Sequence, residues 1–184
     1  MKADRVCSSK EENAFLQKYL DNGSGKILPG AVLVGAGVGS YELITLKGLS
    51  EIRRAEVIVY DDLIDEHLLE FAPESCEQIY AGKRSGRHSK AQEEINELLV
   101  AKALEGKYVV RLKGGDPYVF GRGGEEALAL KAHGIPVHEV PGVTSSIGLC
   151  GMAGSPVTHR GASRGFHVIT GLTADNLPPE SEEI

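Results

Sequence analysis

Short apolar runs, each followed by glycine, proline or charged residues, alternate along most of this chain with stretches whose apolar residues recur every three or four positions. The runs fall at 31–34, 57–60, 78–81, 108–112 and 137–140. Their length and blocky apolar character predict buried parallel strands, the one over 78–81 being the weakest. The recurring stretches predict helices over 45–54, with Leu46, Leu49 and Ile52 on one side, and over 66–71, 89–104 and 124–132. The segment 89–104 has the clearest period: Ile95, Leu98, Leu99 and Ala103 share a face, and Gly106 follows as a stop. Strands alternating with helices predict an α/β fold, an open and mostly parallel five-stranded sheet with flanking helices.

The two ends of the chain break this rhythm. Residues 8–20 predict a short amphipathic helix, with Ser9 and Glu12 at capping-box spacing, Phe15, Leu16 and Leu20 on its apolar face, and Asn22-Gly23 as a stop. Residues 1–28 read as an extension outside the α/β domain, which is expected over 29–150. Gly, Ser, Pro and Arg dominate 151–165, the expected linker. A further strand is expected to begin at 166–170, within a segment 166–184 that reads as the truncated start of a second α/β domain.

Composition narrows the classes. The chain is 184 residues long and carries a net charge of −6, which argues against a nucleic-acid partner. No apolar run approaches the roughly 18 residues needed to cross a bilayer, and residues 1–10 lack the apolar core of a signal peptide. Cys7, Cys76 and Cys150 are far apart and read as reduced thiols of a cytoplasmic protein. His67, His133, His138, His159 and His167 show no clustered ligand spacing, so no metal is expected.

The chemistry gathers in the segments that follow strands: 35–39, Asp61-Asp62, Lys83-Arg84, 114–116 and 141–145. In an open parallel sheet these strand ends share one rim, where ligands bind. Gly35-Ala36-Gly37-Val38-Gly39 with Asp61 or Asp62 suggests a dinucleotide fold, and an NAD-dependent oxidoreductase is the alternative reading. The fingerprint fails at its sixth position, Ser40, and residues 40–44 delay the helix that should face the phosphates. An inactive fragment serving as an interaction module is a third reading. Lys83, Arg84, Arg87, His88 and Lys90 form a basic cluster in an acidic chain, suited to a polyanionic ligand.

Longer motifs carry more information. RLKGGDPYVFGRGGEE at 111–126 closely resembles the cofactor loop of the uroporphyrinogen-III C-methyltransferases, a group within the tetrapyrrole methylase family. VGAGVG at 34–39, LITLKG at 43–48, Val59-Tyr60-Asp61 with Leu63, GKR at 82–84, QEEIN at 92–96, VPGVTS at 140–145 and PVTHR at 156–160 match as well. The resemblance covers roughly 31–170. In the first loop Val38 and Ser40 stand where the family usually has proline and aspartate; a contact made there by backbone survives the change.

The resemblance implies the N-terminal domain of a tetrapyrrole methylase, with a donor pocket completed by a second domain. It implies two methyl transfers from S-adenosylmethionine to uroporphyrinogen III, giving precorrin-2 on the way to sirohaem or cobalamin and leaving S-adenosylhomocysteine. Homodimers are common in the family, so a homodimer is expected. Asp61 matches the family's proton acceptor and Lys83 its proton donor. Arg111, at a strand end, reads as a carboxylate clamp, since a guanidinium is too basic to serve as a base. Val38, Gly114, Gly115, Asp116, Val119, Thr144 and Ser145 match cofactor-binding positions.

Overall fold

The computed structural model describes residues 29–82 and 92–171. Strands β1 (Gly30–Gly35), β2 (Val57–Tyr60), β3 (Glu77–Tyr80), β4 (Tyr108–Lys113) and β5 (Val137–Val140) form one sheet in the order β3-β2-β4-β1-β5. Every pairing is parallel. Helices α1 (Leu46–Ile52), α2 (Gln92–Leu104), α3 (Gly123–Ala132) and α4 (Ser145–Met152) accompany it, with 3₁₀ turns at Tyr41–Leu43 and Glu66–Phe71. The open α/β sheet expected from the apolar pattern is therefore present. The helix predicted over 8–20 and residues 89–91 of the one predicted over 89–104 lie outside the described residues.

Side-chain alternation along the strands sorts the core into two layers. Val32, Val34, Ile58, Val110 and Leu112 point to one face, where Ile52 of α1 and Leu68 of the second 3₁₀ turn cover them. Ala31, Val57, Val59 and Val109 point to the other, against Ile95 and Leu99 of α2 and Leu130 of α3. Thr45 starts α1 by accepting a hydrogen bond from the Gly48 N–H at 3.0 Å. The turn at Tyr41–Leu43 occupies the stretch that delays this helix.

The chain leaves β1 through α1 toward β2 on one face. It leaves β4 through α3 toward β5 on the other face and in the opposite direction. A crevice must open between the carboxyl ends of β1 and β4, the place where such sheets hold ligands.

Two sequence expectations need correction past β5. Helix α4 runs to Met152, so the linker expected over 151–165 begins inside a helix. That segment also folds into a tight turn, with His159 and Ser163 exchanging backbone hydrogen bonds of 3.1 and 2.9 Å. Residues 166–170 form no strand. An apolar run becomes a strand only when a neighbour satisfies its N–H and C=O groups, and no described strand pairs with this one.

At the opposite end of the sheet from the crevice, Glu51 of α1 is 1% exposed. It accepts the Tyr108 hydroxyl at 2.7 Å and pairs with Lys47 and, at 3.6 Å, with Arg54. Burial pushes its carboxyl up. The His138 ring, at 3.9 Å an electrostatic rather than a hydrogen-bonding neighbour, joins Lys47 and Tyr108 in outweighing burial and holds it at about 2, from an ordinary 4.5. A depressed carboxyl stabilises the fold above its unfolded value, and that stability is lost as pH falls from 4.5 toward 2. The loss should amount to about 3 kcal/mol. Urea unfolding of the parent chain should show it between about pH 6 and about pH 2, and Glu51→Gln should remove most of that slope; an unchanged slope would refute the assignment.

Candidate active site

Three strand-end loops interlock at the crevice. Beyond β1 and β4, Gly37 and Gly115 exchange backbone hydrogen bonds of 3.2 and 2.7 Å, with φ of 78° and 65°. The loop after β5 comes so close that a Cβ on Gly142 would lie 2.1 Å from the Gly115 carbonyl oxygen and 2.7 Å from the Gly35 Cα. Only glycine admits this approach of backbone to backbone. Asp116 ties the loops together: one carboxylate oxygen accepts the Tyr118 N–H at 2.8 Å, the other the Gly142 N–H at 3.2 Å.

This knot walls a hollow of about 490 Å³. Val38, Gly114, Gly115, Asp116, Val119, Thr144 and Ser145, all seven positions that the resemblance marks for cofactor, line it together. Thr144 occupies the N-cap position of α4, yet its side chain makes no capping bond; its hydroxyl lies 3.2 Å from the Ser146 hydroxyl. Residues 168–171 also line the hollow, so the segment read as the start of another domain returns to this site.

A second hollow, of about 550 Å³, lies beside the first. Asp61, Asp62, Gly82, Gln92, Arg111 and Lys113 line it, and Leu63, Gly114, Phe120 and Gly121 line both hollows. Phe120 at this shared wall and Arg122 at the wall of the second hollow adopt left-handed backbones, φ 52° and 56°. Such conformations are costly for bulky side chains and concentrate at functional loops.

Asp61 follows β2 and holds two partners. One carboxylate oxygen accepts the Leu63 N–H at 3.1 Å, closing a local turn; the other pairs with Arg111 Nη2 at 2.9 Å. Arg111 itself is 3% exposed. Its Nη1 donates to the Val59 and Leu112 carbonyls at 3.3 and 3.0 Å, and its Nε to Glu126 at 3.1 Å. Four of its five N–H donors thus serve described residues of the protein. The clamp expected for Arg111 faces inward, orienting Asp61, because β4 is the central strand and its side chains are buried. Asp62 accepts the Tyr80 hydroxyl at 2.5 Å. Lys83, with Arg84, Arg87, His88 and Lys90, lies outside the described residues.

Lys113, Glu126, Leu63 and Phe120 all stand in the matching motifs, but sequence reasoning gave none of them a role. Arg111 and Lys113 are two apart on a strand, so a shared face was legible. Glu126 closes the 111–126 motif, but nothing local tells it from its neighbour, the exposed Glu125. The dinucleotide reading fits the geometry poorly: the glycines of the first loop lead into a 3₁₀ turn rather than a helix N-terminus, and the Gly37 N–H is already taken. Among the described residues no group of three or more His, Cys, Asp or Glu is placed to hold a metal ion. No helix there is long and apolar enough to cross a membrane.

Comparisons with known proteins agree with this picture. The chain is 59% identical over 145 residues to a uroporphyrinogen-III C-methyltransferase of Methanocaldococcus jannaschii, covering 79% of this chain and 60% of the relative. It is 46% identical over 175 residues to a siroheme synthase of Actinobacillus pleuropneumoniae, covering 95% of this chain and 35% of that protein. The chain thus spans less than two thirds of the length of each of these curated relatives. Among solved structures, a uroporphyrin-III C-methyltransferase of Thermus thermophilus superimposes with a TM-score of 0.70 at 47% identity, covering 82% of this chain and 63% of that one. A form of that enzyme complexed with S-adenosylhomocysteine gives 0.69 at 45% identity, covering 82% and 59%. Since the family described as Tetrapyrrole (Corrin/Porphyrin) Methylases matches residues 31–182, most of its length, the chain belongs to the tetrapyrrole methylases.

Proposed function

We propose that this chain carries the greater part of the catalytic cleft of an S-adenosylmethionine-dependent C-methyltransferase acting on uroporphyrinogen III, with two transfers giving precorrin-2. One observation carries the reading: a glycine-walled hollow and a charged hollow lie side by side and share Leu63, Gly114, Phe120 and Gly121. A two-substrate transfer needs such adjacency, because holding the reacting atoms in line supplies much of the acceleration.

The first hollow suits the donor. Its glycine backbones admit a close polar approach, its Val38 and Val119 walls are apolar, and its volume falls in the range of small-molecule sites. Bound there, S-adenosylmethionine supplies an electrophilic methyl group. Gly114, Gly115 and Asp116 hold its amino-acid end, and Thr144 and Ser145 the remaining polar edge. The second hollow takes the macrocycle. Asp61, turned by Arg111 and by the Leu63 N–H, accepts the proton that the ring system releases after gaining the methyl group. Lys83 follows the hollow-lining Gly82 in sequence and is assigned the proton-donor role.

In domain terms, the N-terminal methylase unit expected over 29–150 extends to Met152 at the end of α4, 1–28 is an extension, 153–165 a connector and 166–184 the approach to a second domain. Ile147, Leu149, Met152 and Phe166 are exposed and apolar, a surface for that domain or for the partner of a homodimer. Cys76 and Cys150 are free thiols, in keeping with the cytoplasm.

Calorimetry with S-adenosylhomocysteine and with NAD tests the donor assignment, and a precorrin-2 assay tests the reaction. Binding of S-adenosylhomocysteine alone, with precorrin-2 formed once the rest of the methylase is present, is the expected result. NAD binding without S-adenosylhomocysteine binding would overturn it.

A further inference from the structure

At the wall of the second hollow lies a cluster of charges in which the proposed transfer employs Asp61 and Arg111 but leaves Lys113 and Glu126 without a role. Arg111 and Lys113 sit two apart on β4, facing α2 and α3, with side chains 3% and 7% exposed. Burying two cations at the end of a central strand is expensive. Glu126 of α3, 0% exposed, answers both. A single oxygen, Oε1, accepts Arg111 Nε at 3.1 Å, Lys113 Nζ at 3.0 Å and Gln92 Nε2 at 3.3 Å. Its other oxygen, Oε2, is buried without a hydrogen-bond partner among the described residues. With Asp61 on Arg111, two cations meet two anions. Apolar residues of similar volume would stabilise such a position equally well, so stability alone does not account for the cluster.

We propose that Glu126 is a positioning residue of the acceptor hollow: it fixes Arg111 so that Nη2 presents Asp61, and it holds Lys113 as an ammonium at the hollow's wall, where it faces the carboxylates of a polyanionic ring. The inference rests on the methyltransferase reading above. Glu126 lines neither hollow, is 0% exposed and acts through the two cations. Burial and the neighbouring Arg111 push the Lys113 ammonium below the ordinary lysine value, while Glu126 and the more distant Asp61 push it back up. Among the described residues, the groups that bear on it are therefore Arg111 on its own strand, Glu126 and, farther off, Glu125 on α3, and Asp61 after β2. Gln92 of α2 contributes a neutral amide to the same carboxylate oxygen.

The test uses the full chain in the active methylase and three variants. Glu126→Gln should lower the Lys113 titration, followed by side-chain NMR and assigned with Lys113→Gln, by about one to three pH units. It should move the alkaline limb of the kcat profile down by a like amount and reduce kcat about a hundredfold. S-adenosylhomocysteine affinity should stay at the parent value, because the donor hollow does not contain the cluster. Glu126→Asp keeps the charge with a shorter reach: the alkaline limb should stay near its parent position while kcat still falls. This variant decides the matter if Glu126→Gln does not fold. Parent-like kcat and pH profile in either folded variant would overturn the inference and leave the methyltransferase reading intact. A parent enzyme that binds no S-adenosylhomocysteine and makes no precorrin-2 would instead overturn that reading, and the inference with it.

Discussion

Asp61→Asn is expected to lower kcat for precorrin-2 formation by about 10²- to 10⁴-fold, the usual worth of a positioned proton acceptor. Asparagine keeps the oxygen that accepts the Leu63 N–H, so the turn after β2 survives. It cannot take up a proton, and it leaves the Arg111 guanidinium, 3% exposed, facing a neutral amide. Removing one partner of a buried pair also destabilises the fold; with the Asp61 side chain 20% exposed, about 1–3 kcal/mol is expected. Single-turnover kinetics and thermal melting read the two effects separately. Asp62→Asn, which lines the same hollow and among the described residues receives only the Tyr80 hydroxyl, should change kcat less than about tenfold. Equal effects of the two variants would show that Asp61 has no special place in the reaction.

Gly142→Ala should damage the other hollow. Its new Cβ would meet the Gly115 carbonyl oxygen at 2.1 Å and the Gly35 Cα at 2.7 Å. Both are backbone atoms, so no rotamer change relieves the clash and one of the three loops must move. An overpacked position of this kind costs about 1–3 kcal/mol or somewhat more. The displaced loops carry Asp116, Thr144 and Ser145, and S-adenosylhomocysteine affinity should drop about a hundredfold, as a displacement of an ångström can cost. Gly124→Ala is the contrast: a Cβ there meets nothing within 4 Å, and the position is helical. It should stabilise the chain by up to about 1 kcal/mol. Melting curves and calorimetry on the two variants check both signs, and a Gly142→Ala protein with parent-like stability and affinity would show that the loops do not depend on their close approach.

The Thr45 start of α1, the period of α2 and the five apolar runs were all legible in the chain, because each depends on residues within a few positions of one another. The loop motifs at 34–39 and 111–126 were legible for the same reason. They led to seven lining residues of the first hollow and to Asp61 and Arg111 in the second. The apolar run at 166–170 misled because its pattern says nothing about whether a neighbouring strand exists.

Local sequence alone thus decided which segments become strands and helices, which side of each is apolar, and which loops carry glycine and charge, since these follow from periodicity and backbone freedom. Only the tertiary structure decided what those loops do to one another. The order β3-β2-β4-β1-β5 sets Asp61 against Arg111 across 50 positions of sequence and packs α3 so that Glu126 meets both buried cations. It also presses Gly142 onto Gly115 and divides the crevice into two hollows along a common wall. Such pairings depend on where strands lie in the sheet, and no run of neighbouring residues encodes that.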